Sequence, residues 1–329
     1  MRNFTPTIVK KTAGNGGNGH NQLFDLIDYQ AEAVPRWCVG CGDHTVLTTM
    51  QRLLRDRQIP PEKAVFVSGI GCSSRFPHYM STYGFHGIHG RAIPIATGLA
   101  LARPDLHIFV VSGDGDCLSI GAGHWIHGVR YNVNITVLLF DNEIYGLTKK
   151  QTSPTTNLGY QTNTQPQGSY LPPMRPITTT LGVANASFVA RTVDWYPRHL
   201  YDTLSSAVDH QGLGFVQILQ RCPVFNDVAY APLRSNPESV VFLSHERGIP
   251  IDERLAKKGG DVIEHDPADL DAAFALSRRE EPIPIGLFYR NPDAPRYDLI
   301  RHNEVAAARG NGRQKSINAL LARYQIDAN

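Results

Sequence analysis

The sequence predicts a doubly wound α/β fold, with a mostly parallel sheet and a C-terminal extension. Short apolar runs of strand length alternate with longer stretches that have helical periodicity. Several of these runs end abruptly at glycine or polar residues, as parallel strands do where they meet a binding crevice. The chain of 329 residues is long enough for one large domain of this class and an extension.

The composition narrows the classes of function. The formal net charge is +2, which gives no reason to expect a nucleic-acid partner. No apolar run approaches the roughly 18 residues that a membrane span needs, and the N-terminus shows no signal-peptide pattern. We therefore expect a soluble, cytoplasmic protein that binds neither nucleic acid nor membrane.

The chain begins with a polar, glycine-rich segment, residues 1–28, which we predict to be a mobile arm. A helix is expected from Asp43 to about Arg57, with Asp43 as its N-terminal cap. A buried strand over Ala64–Ser68 and a helix over Ala92–Ala102 follow.

The clearest signal is a strand, a helix and a second strand. Two apolar runs, His107–Val111 and Ile135–Phe140, flank a helical stretch over about Leu118–Tyr131. Parallel neighbours need a crossover of this kind, so the stretch predicts a βαβ unit. Both strands then end at the same edge of the sheet.

We place the main domain at residues 29–225. In the rest of it, strand-length apolar runs and helical stretches alternate less regularly. A long polar segment, Gln151–Thr180, has no apolar period and predicts a loop that acts as a lid or a partner contact. The further elements are two strands and the helix between them: Ser187–Ala190, Trp195–His210 and Gly214–Leu219.

Residues 226–329 differ in character, because charge rises and apolar runs shorten. We predict an extension that packs on the domain and on a partner subunit. Within it, Ile283–Tyr289 is expected as one edge strand, since Pro284 lies near its start. Helical periodicity over Glu304–Tyr324 is interrupted at Gly310–Gly312.

Polar groups follow both strands of the βαβ unit. Asp114 stands in a Gly-Asp-Gly turn, and Asn142 follows after 26 intervening residues. An Asp carboxylate and an Asn carbonyl suit Mg²⁺ that holds a diphosphate, and Gly113 and Gly115 let backbone N–H groups approach phosphate. The spacing resembles the thiamine diphosphate signature. A glycine turn on any doubly wound sheet is the alternative, and no GxGxxG dinucleotide fingerprint is present.

Four of the five cysteines are predicted to share the same edge of the sheet. Cys38 and Cys41 form a CxxC before the first helix, while Cys72 and Cys222 end strands. Four thiolates at one edge can hold a 4Fe–4S cluster or zinc. A thioredoxin-like dithiol is disfavoured because the CxxC precedes the first strand. Cys117 is expected to be a small buried residue.

Several motifs together resemble the β subunits of 2-oxoacid:ferredoxin oxidoreductases over about residues 37–222. They are WCVGCGDH, GIGCSSR, GFHGIHGRA, GDGD, DNEIYGLTKKQTSPT and RCP. The HGRA and IYGLTK segments are most similar to the 2-oxoglutarate branch of this family. Val39 stands where the family commonly has Pro, and Lys150 where it commonly has Gly.

The resemblance implies a thiamine-diphosphate-binding fold of the diphosphate-binding type and assigns roles to individual residues. Mg²⁺ ligands would be Asp114, Asn142 and the carbonyl of Ile144. One 4Fe–4S cluster would be held by Cys38, Cys41, Cys72 and Cys222. Contacts to thiamine diphosphate would come from Ile70, Gly71, Cys72, Ser73, His89, Gly90, Arg91, Asp114, Gly115, Asp116, Asn142, Ile144, Gly146 and Leu147.

Other side chains are candidates for substrate chemistry. Arg75 suits bidentate binding of the distal carboxylate of a substrate, although a surface or structural ion pair is the alternative. His44, His86 and His89 are candidates for proton transfer, and each can equally be a hydrogen-bonded structural histidine. The Lys149–Lys150 pair suits diphosphate or coenzyme A, or is solvated surface.

The resemblance also implies partners. We expect no second domain in this chain that could supply the glutamate that activates thiamine in this family. The resemblance therefore implies that an α subunit supplies it, in an α2β2 assembly. The implied reaction converts 2-oxoglutarate and coenzyme A to succinyl-CoA and CO₂, with electrons passed to ferredoxin, and it is reversible in the family. Alternatives are a pyruvate or broad 2-oxoacid enzyme, a non-redox thiamine decarboxylase, and a zinc-binding scaffold subunit.

Overall fold

A computed structural model describes residues 23–246, 248–251, 260–310 and 313–324. The strands are β1 Ala64–Ser68, β2 Tyr83–His86, β3 His107–Gly113, β4 Ile135–Asp141, β5 Phe188–Val193, β6 Leu213–Leu219, β7 Val240–Ser244, β8 Asp261–Glu264 and β9 Ile283–Arg290. The helices are α1 Asp43–Asp56, α2 Ala92–Ala102, α3 Ala122–Tyr131, α4 Pro176–Leu181, α5 Pro197–Asp209, α6 Ala231–Ser235, α7 Leu270–Ser277, α8 Tyr297–Gly310 and α9 Arg313–Ala322.

The strands form a single sheet in the order β2-β1-β3-β4-β6-β5-β9-β7-β8. The first six are mutually parallel. β9 runs antiparallel to β5, while β7 and β8 are parallel to β9. The prediction of a mostly parallel, doubly wound α/β sheet is confirmed.

The two faces of the sheet are covered by different helices. On one face, α1 and α5 pack against alternate strand residues such as Phe66 and Phe109. On the other face, α2, α3 and α4 pack against the intervening residues, among them Val65 and Val110. Strands that are buried on both faces read as continuous apolar runs, which is why the sequence revealed β1, β3, β4 and β6.

The prediction that residues 283–289 form an edge strand is wrong. β9 pairs with β7 through Ile283–Ile285 and with β5 through Gly286–Arg290, so it has a neighbour on each side. Pro284 lies outside the stretch that pairs with β5, so its missing N–H removes no bond on that side. Residues after 226 thus contribute three strands to the main sheet, and their packing on a partner stays a prediction.

Three further expectations need correction. Asp43 is the first residue of α1 and not its cap, because Gly42 occupies the cap position. The loop predicted over Gln151–Thr180 ends earlier, where α4 begins at Pro176. The helix expected from Leu118 starts with a π-helical turn, Asp116–Ile120, before α3.

The predicted N-terminal arm lies mostly outside the described residues. Its end does not fit the prediction, because the backbone of Phe24 exchanges two hydrogen bonds with the side-chain amide of Gln58, at 2.8 and 3.0 Å. The helical periodicity of the C-terminus is confirmed by α8 and α9. Within the described residues, no helix combines the length and the apolarity needed to cross a bilayer.

Candidate functional site

A cavity of about 430 Å³ opens at the carboxyl ends of β1, β3 and β4. It is lined by Ile70, Gly71, Cys72, Ser73, His89, Gly113, Asp114, Gly115, Asp116, Phe140, Asn142, Ile144, Tyr145, Gly146, Leu147, Thr148 and Gln151. The parallel pairing of β1, β3 and β4 brings these loops together. The cavity thus collects nearly all the residues that the sequence assigned to one cofactor.

Asp114 is buried at the end of β3 and is held by the long loop that follows β4. Its Oδ2 accepts hydrogen bonds from Ser153 Oγ at 2.5 Å and from Thr155 Oγ1 at 2.8 Å. The same Thr155 hydroxyl lies 2.8 Å from Oδ1 of buried Asp141. Burial raises the pKa of Asp114, and the nearby charge of Asp141 adds to this effect. A cation at this carboxylate would oppose that shift.

Asn142 has a defined orientation at the end of β4. Its Nδ2 donates to Gln220 Oε1 at 2.8 Å, and its Oδ1 accepts from the Ile144 backbone N–H at 3.2 Å. The Asn142 carbonyl accepts from Asn226 Nδ2 at 3.1 Å. The chain therefore fixes which end of this amide carries the oxygen, as a metal ligand would require.

Asp116 joins three loops around the cavity. Its Oδ1 accepts hydrogen bonds from the backbone N–H groups of Ile70 at 3.0 Å and Gly90 at 2.7 Å, and from His89 Nδ1 at 2.6 Å. Its Oδ2 accepts from Ser112 Oγ at 2.5 Å. With four internal donors, this carboxylate is already engaged, so its geometry favours a positioning role over direct contact with a diphosphate.

Gly115 allows a close approach between the turn after β3 and Tyr145. A Cβ atom at this position would lie 2.3 Å from Tyr145 Cε1, far inside van der Waals contact. The Tyr145 hydroxyl donates to the Gly115 carbonyl at 2.7 Å. The glycine is therefore required for the wall of the cavity to close.

The cysteines lie beside this cavity. Cys72 lines it, and Gly146 separates the two regions, because a Cβ there would lie 3.6 Å from Cys72 Sγ and 3.9 Å from Cys222 Sγ. Cys41 interacts electrostatically with both of these thiols, and Cys72 interacts with Cys38. The structure thus gathers the four predicted ligands, whereas Cys117 is buried elsewhere, in the core under α2 and α3.

Burial makes thiolates unfavourable at this end of the site. It raises the pKa of Cys41 strongly, that of Cys72 to about 12, and that of Cys222 above its ordinary value. Backbone N–H groups of Val224 to Asn226 oppose the shift at Cys222. Buried thiols with N–H donors around them suit ligation to a metal, which supplies the positive charge that thiolates need.

Two buried carboxylates stand next to the cysteines. Asp43 borders the Cys41 thiol, and burial raises the pKa of Asp43 to about 7. Neither of its oxygens has a conventional hydrogen-bond partner among the described residues, and the same holds for Oδ1 of Asp194. Among the described residues, no group of three or more His, Cys, Asp or Glu side chains is arranged to hold a single metal ion.

The predicted substrate residues lie in different places. Only His89 lines the cavity; His44 packs edge-on against Trp37, with ring centroids 5.3 Å apart. His86 Nδ1 lies 2.7 Å from the Ser74 carbonyl, as a structural histidine does. Arg75 follows the Cys72 loop outside the cavity wall, and it forms no ion pair with any described residue.

Gly90 and Arg91 are not among the residues that line the cavity. Gly90 adopts a left-handed backbone, φ +70°, and Arg91 Nη1 lies 3.3 Å from the Ile120 carbonyl. Their contact with a cofactor stays a prediction. Neither Lys149 nor Lys150 lines the cavity; their ammonium groups lie over the rings of Phe225 and Tyr160, at 5.6 and 5.1 Å.

The residues that hold the proposed ligands in place were not predicted from the sequence. They are Ser153 and Thr155, which bond Asp114, and Gln220, which bonds Asn142. The two hydroxyls belong to the TSPT motif, which the sequence presented only as part of a loop. Nothing in a single sequence marks Gln220, since its position depends on β6 pairing beside β4.

A second cavity, of about 400 Å³, lies at the ends of β7 and β8. It is lined by His245, Glu246, Glu264, His265, Asp266 and Pro267. None of the sequence motifs falls in this region, and the described residues give it no metal-binding arrangement. The predicted cofactor residues that line a cavity all line the first one.

Comparison with known proteins decides the family. Residues 69–218 match the profile "Thiamine pyrophosphate enzyme, C-terminal TPP binding domain". The 2-oxoglutarate oxidoreductase subunit KorB of Mycobacterium tuberculosis is 44% identical over 307 residues, covering 86% of this chain and 82% of that protein. The β subunit of 2-oxoacid:ferredoxin oxidoreductase 1 of Aeropyrum pernix is 36% identical, covering 83% of each chain. This chain belongs to the 2-oxoacid:ferredoxin oxidoreductase β subunits.

A solved structure agrees with this assignment. The 2-oxoglutarate:ferredoxin oxidoreductase of Magnetococcus marinus, with 2-oxoglutarate, coenzyme A and succinyl-CoA bound, matches with a TM-score of 0.77 and 35% identity. The match covers 90% of this β subunit and 96% of that chain. Residues 252–303, which the sequence motifs did not reach, match the profile of the C-terminal region of the pyruvate ferredoxin oxidoreductase beta subunit. The designation as a β subunit implies an α subunit as partner.

Proposed function

We propose that this chain is the thiamine- and cluster-binding subunit of a 2-oxoglutarate:ferredoxin oxidoreductase. The reaction joins 2-oxoglutarate and coenzyme A to give succinyl-CoA and CO₂, and two electrons pass to ferredoxin. The observation that carries the proposal is the shared wall at Gly146, where a diphosphate-type cavity adjoins Cys72 and Cys222. The KorB relatives favour 2-oxoglutarate over pyruvate.

The cavity, which is the thiamine half of the site, would hold Mg²⁺ and thiamine diphosphate. Asp114, Asn142 and the Ile144 carbonyl are the proposed Mg²⁺ ligands, since hard oxygen donors suit this ion. Ser153 and Thr155 hold the Asp114 carboxylate in place, as partners of a metal ligand do. Thiamine diphosphate, when bound, supplies the electron sink for decarboxylation.

The cysteine half of the site, beside the cavity, would hold one 4Fe–4S cluster on Cys38, Cys41, Cys72 and Cys222. Such a cluster, when bound, supplies one-electron transfer beside the thiamine cavity. Cys222 is buried and Cys41 and Cys72 are half-buried, whereas Cys38 is exposed, so the cluster would have one side towards the surface from which electrons leave. We expect ferredoxin and the α subunit to be the protein partners, in an α2β2 assembly.

His89 is the proposed proton carrier of this subunit. Its Nδ1 lies 2.6 Å from Asp116 Oδ1, and a carboxylate partner makes Nδ1 the protonated nitrogen. Nε2 is then the nitrogen able to accept a proton in the cavity. The Tyr145 ring packs edge-on against the imidazole, with centroids 6.0 Å apart, and restrains its orientation.

Removal of one Mg²⁺ ligand tests the first half of the proposal. We expect Asp114→Ala, copurified with its α subunit, to lose thiamine diphosphate and Mg²⁺ on desalting. Asp105→Ala is the control, because Asp105 is an exposed carboxylate paired with Lys63 and Arg103. Cofactor retained by Asp114→Ala to the wild-type level would sink the assignment.

Substrate choice is tested by rates on two acids. We expect the wild-type complex to prefer 2-oxoglutarate to pyruvate, and Arg75→Ala to raise the KM for 2-oxoglutarate about 10- to 100-fold, with little effect on pyruvate. A hydrogen bond to a charged group is worth about 1.5–3 kcal/mol, which corresponds to this factor. Equal losses on both acids would exclude Arg75 as the residue that binds the distal carboxylate.

A further inference from the structure

Gln220 lies between the two halves of the site and is buried. It follows β6 directly, and its backbone N–H donates to the Asp141 carbonyl at 2.8 Å, which extends the pairing of β6 with β4 by one residue. This pairing places Gln220 beside Asn142 on one side. On the other side, the chain leads to Cys222 within two residues.

The side-chain amide of Gln220 uses all its polar atoms on groups of the site. Oε1 accepts from Asn142 Nδ2 at 2.8 Å. Nε2 donates to the Arg221 carbonyl at 2.7 Å and to Cys41 Sγ at 3.2 Å. An amide N–H₂ group has two protons, so these contacts satisfy it fully.

The orientation of this amide follows from chemistry. A backbone carbonyl can only accept a hydrogen bond, so the Gln220 atom that faces the Arg221 carbonyl must be the nitrogen. Oε1 then faces Asn142, which must turn its own nitrogen towards Gln220. The Arg221 carbonyl therefore determines, through two side-chain amides, that Asn142 keeps its oxygen for other partners.

We propose that Gln220 is a positioning residue for both cofactors: it orients the Mg²⁺ ligand Asn142 and, through its N–H···S bond to Cys41, raises the reduction potential of the cluster. The inference rests on the proposed function, because it needs Mg²⁺ at Asn142 and a cluster at Cys41. No described residue other than Gln220 donates a side-chain hydrogen bond to one of these cysteine sulfurs.

The two effects have separate physical causes. An outer partner of a metal ligand fixes the orientation of that ligand, and its loss typically weakens binding about 10- to 100-fold. Hydrogen bonds to cluster sulfurs stabilise the more negative, reduced state, so their loss makes reduction harder. Substitutions of Gln220 that keep one of these bonds and remove the other therefore distinguish the effect on Mg²⁺ from the effect on the cluster.

Two variants of Gln220 make this separation, each copurified without oxygen as the complex with its α subunit. Gln220→Met removes the acceptor and both donors. Gln220→Glu keeps an acceptor for Asn142 Nδ2 but cannot donate to both the Arg221 carbonyl and Cys41. Gln51→Met is the matched control, because Gln51 is also a buried glutamine and donates to the Tyr79 carbonyl instead.

The measurements are the midpoint potential of the cluster, by EPR-monitored titration, and the affinity for thiamine diphosphate at fixed Mg²⁺. We expect the reduction equilibrium constant to fall about tenfold in both Gln220 variants, which is a shift of about 59 mV to more negative potential. We expect the affinity for thiamine diphosphate to fall about 10- to 100-fold in Gln220→Met and to stay within about threefold of wild type in Gln220→Glu. Gln51→Met should change neither.

The outcomes distinguish this inference from the proposed function. A wild-type complex without iron, or without Mg²⁺-dependent binding of thiamine diphosphate, would overturn both. A wild-type complex that has both cofactors, with unchanged potentials in the Gln220 variants or wild-type affinity in Gln220→Met, would overturn the inference alone. If Gln220 had only a structural role, its substitution would lower the stability of the protein but would leave the reduction potential of the bound cluster unchanged.

Discussion

The two halves of the site are built on opposite principles. At the thiamine half, the buried carboxylates of Asp114 and Asp116 accept hydrogen bonds from serine and threonine hydroxyls and from backbone N–H groups. At the cysteine half, buried Asp43 and Asp194 leave carboxylate oxygens without such partners among the described residues. Burial raises the pKa of Asp43 to about 7 and that of Asp194 to about 6, and it raises the pKa of Asp114 to about 7 as well. The halves therefore differ in the hydrogen bonds that their buried carboxylates accept and not in the direction of these shifts.

This difference shows which half of the site is held in place by hydrogen bonds within the chain. Hydrogen bonds to a buried carboxylate repay part of the cost of removing it from water, so the thiamine half is rigid by its own contacts. At the cysteine half, buried thiols and acids oppose folding in their charged forms. We therefore expect the removal of a buried carboxylate to destabilise the thiamine half and to stabilise the cysteine half.

The largest effect is expected at Asp116. We expect Asp116→Ala to lower the free energy of unfolding by about 3–5 kcal/mol, because it leaves donors on two loops and on strand β3 without an acceptor. Urea denaturation measures this change, with exposed Asp105→Ala as the control that should stay close to wild type. A loss below about 1 kcal/mol would mean that Asp116 does not hold the thiamine half together.

The opposite sign is expected at Asp194. Burial raises its pKa to about 6 from 3.8, so its contribution to stability is complete below about pH 4 and is lost as the pH rises through 6. Asp194→Asn does not lose this stability, because an amide side chain does not ionise as the pH rises. Both proteins are compared without the cluster. We expect the free energy of unfolding of Asp194→Asn to equal that of wild type near pH 4 and to be about 1–3 kcal/mol higher at pH 7.

Urea denaturation of both proteins across pH 4–7 checks this expectation. The useful readout is the difference between the two curves, because other titrating groups cancel in it. The stability difference between Asp194→Asn and wild type should grow with pH. If it does not, or if the variant is less stable than wild type at pH 7, the proposed contrast between the two halves is wrong.

The smallest effect is expected at Lys150, on the loop that joins the halves. Lys150 stands where the family commonly has Gly, and its backbone is left-handed, φ +63°. A side chain costs about 1–2 kcal/mol in this region, part of which glycine loses again through its greater freedom when unfolded. We expect Lys150→Gly to raise the free energy of unfolding by about 0.5–1 kcal/mol.

Lys150→Ala is the matched control for this position. It removes the same charge and the contact with Tyr160 but keeps a Cβ in the left-handed region. It should be no more stable than wild type. If the Ala variant gained as much as the Gly variant, the charge and not the backbone would be the cause.

The parallel part of the fold was readable from the sequence because each strand is an apolar run that ends at a chemically distinctive residue. Ser68, Gly113 and Asp141 close β1, β3 and β4, and the cofactor motifs begin there. The strands after residue 226 were harder to read. β8 is largely exposed, so it has no apolar run that separates it from a loop. β7 is a buried apolar run as short as β1, but no cofactor motif follows it to mark it as a strand of the sheet.

The candidate site could also be predicted only in part from the sequence. Ligand types and spacing pointed to Asp114, Asn142 and the cysteines, and the structure brings these residues to one edge of the sheet. The residues that hold them, such as Thr155 and Gln220, are common polar types whose role comes only from the pairing of distant strands. A hydrogen-bond partner far along the chain leaves no periodic signal in one sequence.

The most direct test of the account is the iron and acid-labile sulfide content of the chain, purified without oxygen with its α subunit, together with its EPR spectrum after dithionite. Cys222→Ser and Cys117→Ser are measured beside it, since both cysteines are buried and only the first is a proposed ligand. The account predicts about four irons on the wild-type chain beyond any held by the α subunit, a cluster signal that Cys117→Ser keeps, and loss or marked alteration of that signal in Cys222→Ser. Zinc without iron, or a signal indifferent to Cys222, would contradict it.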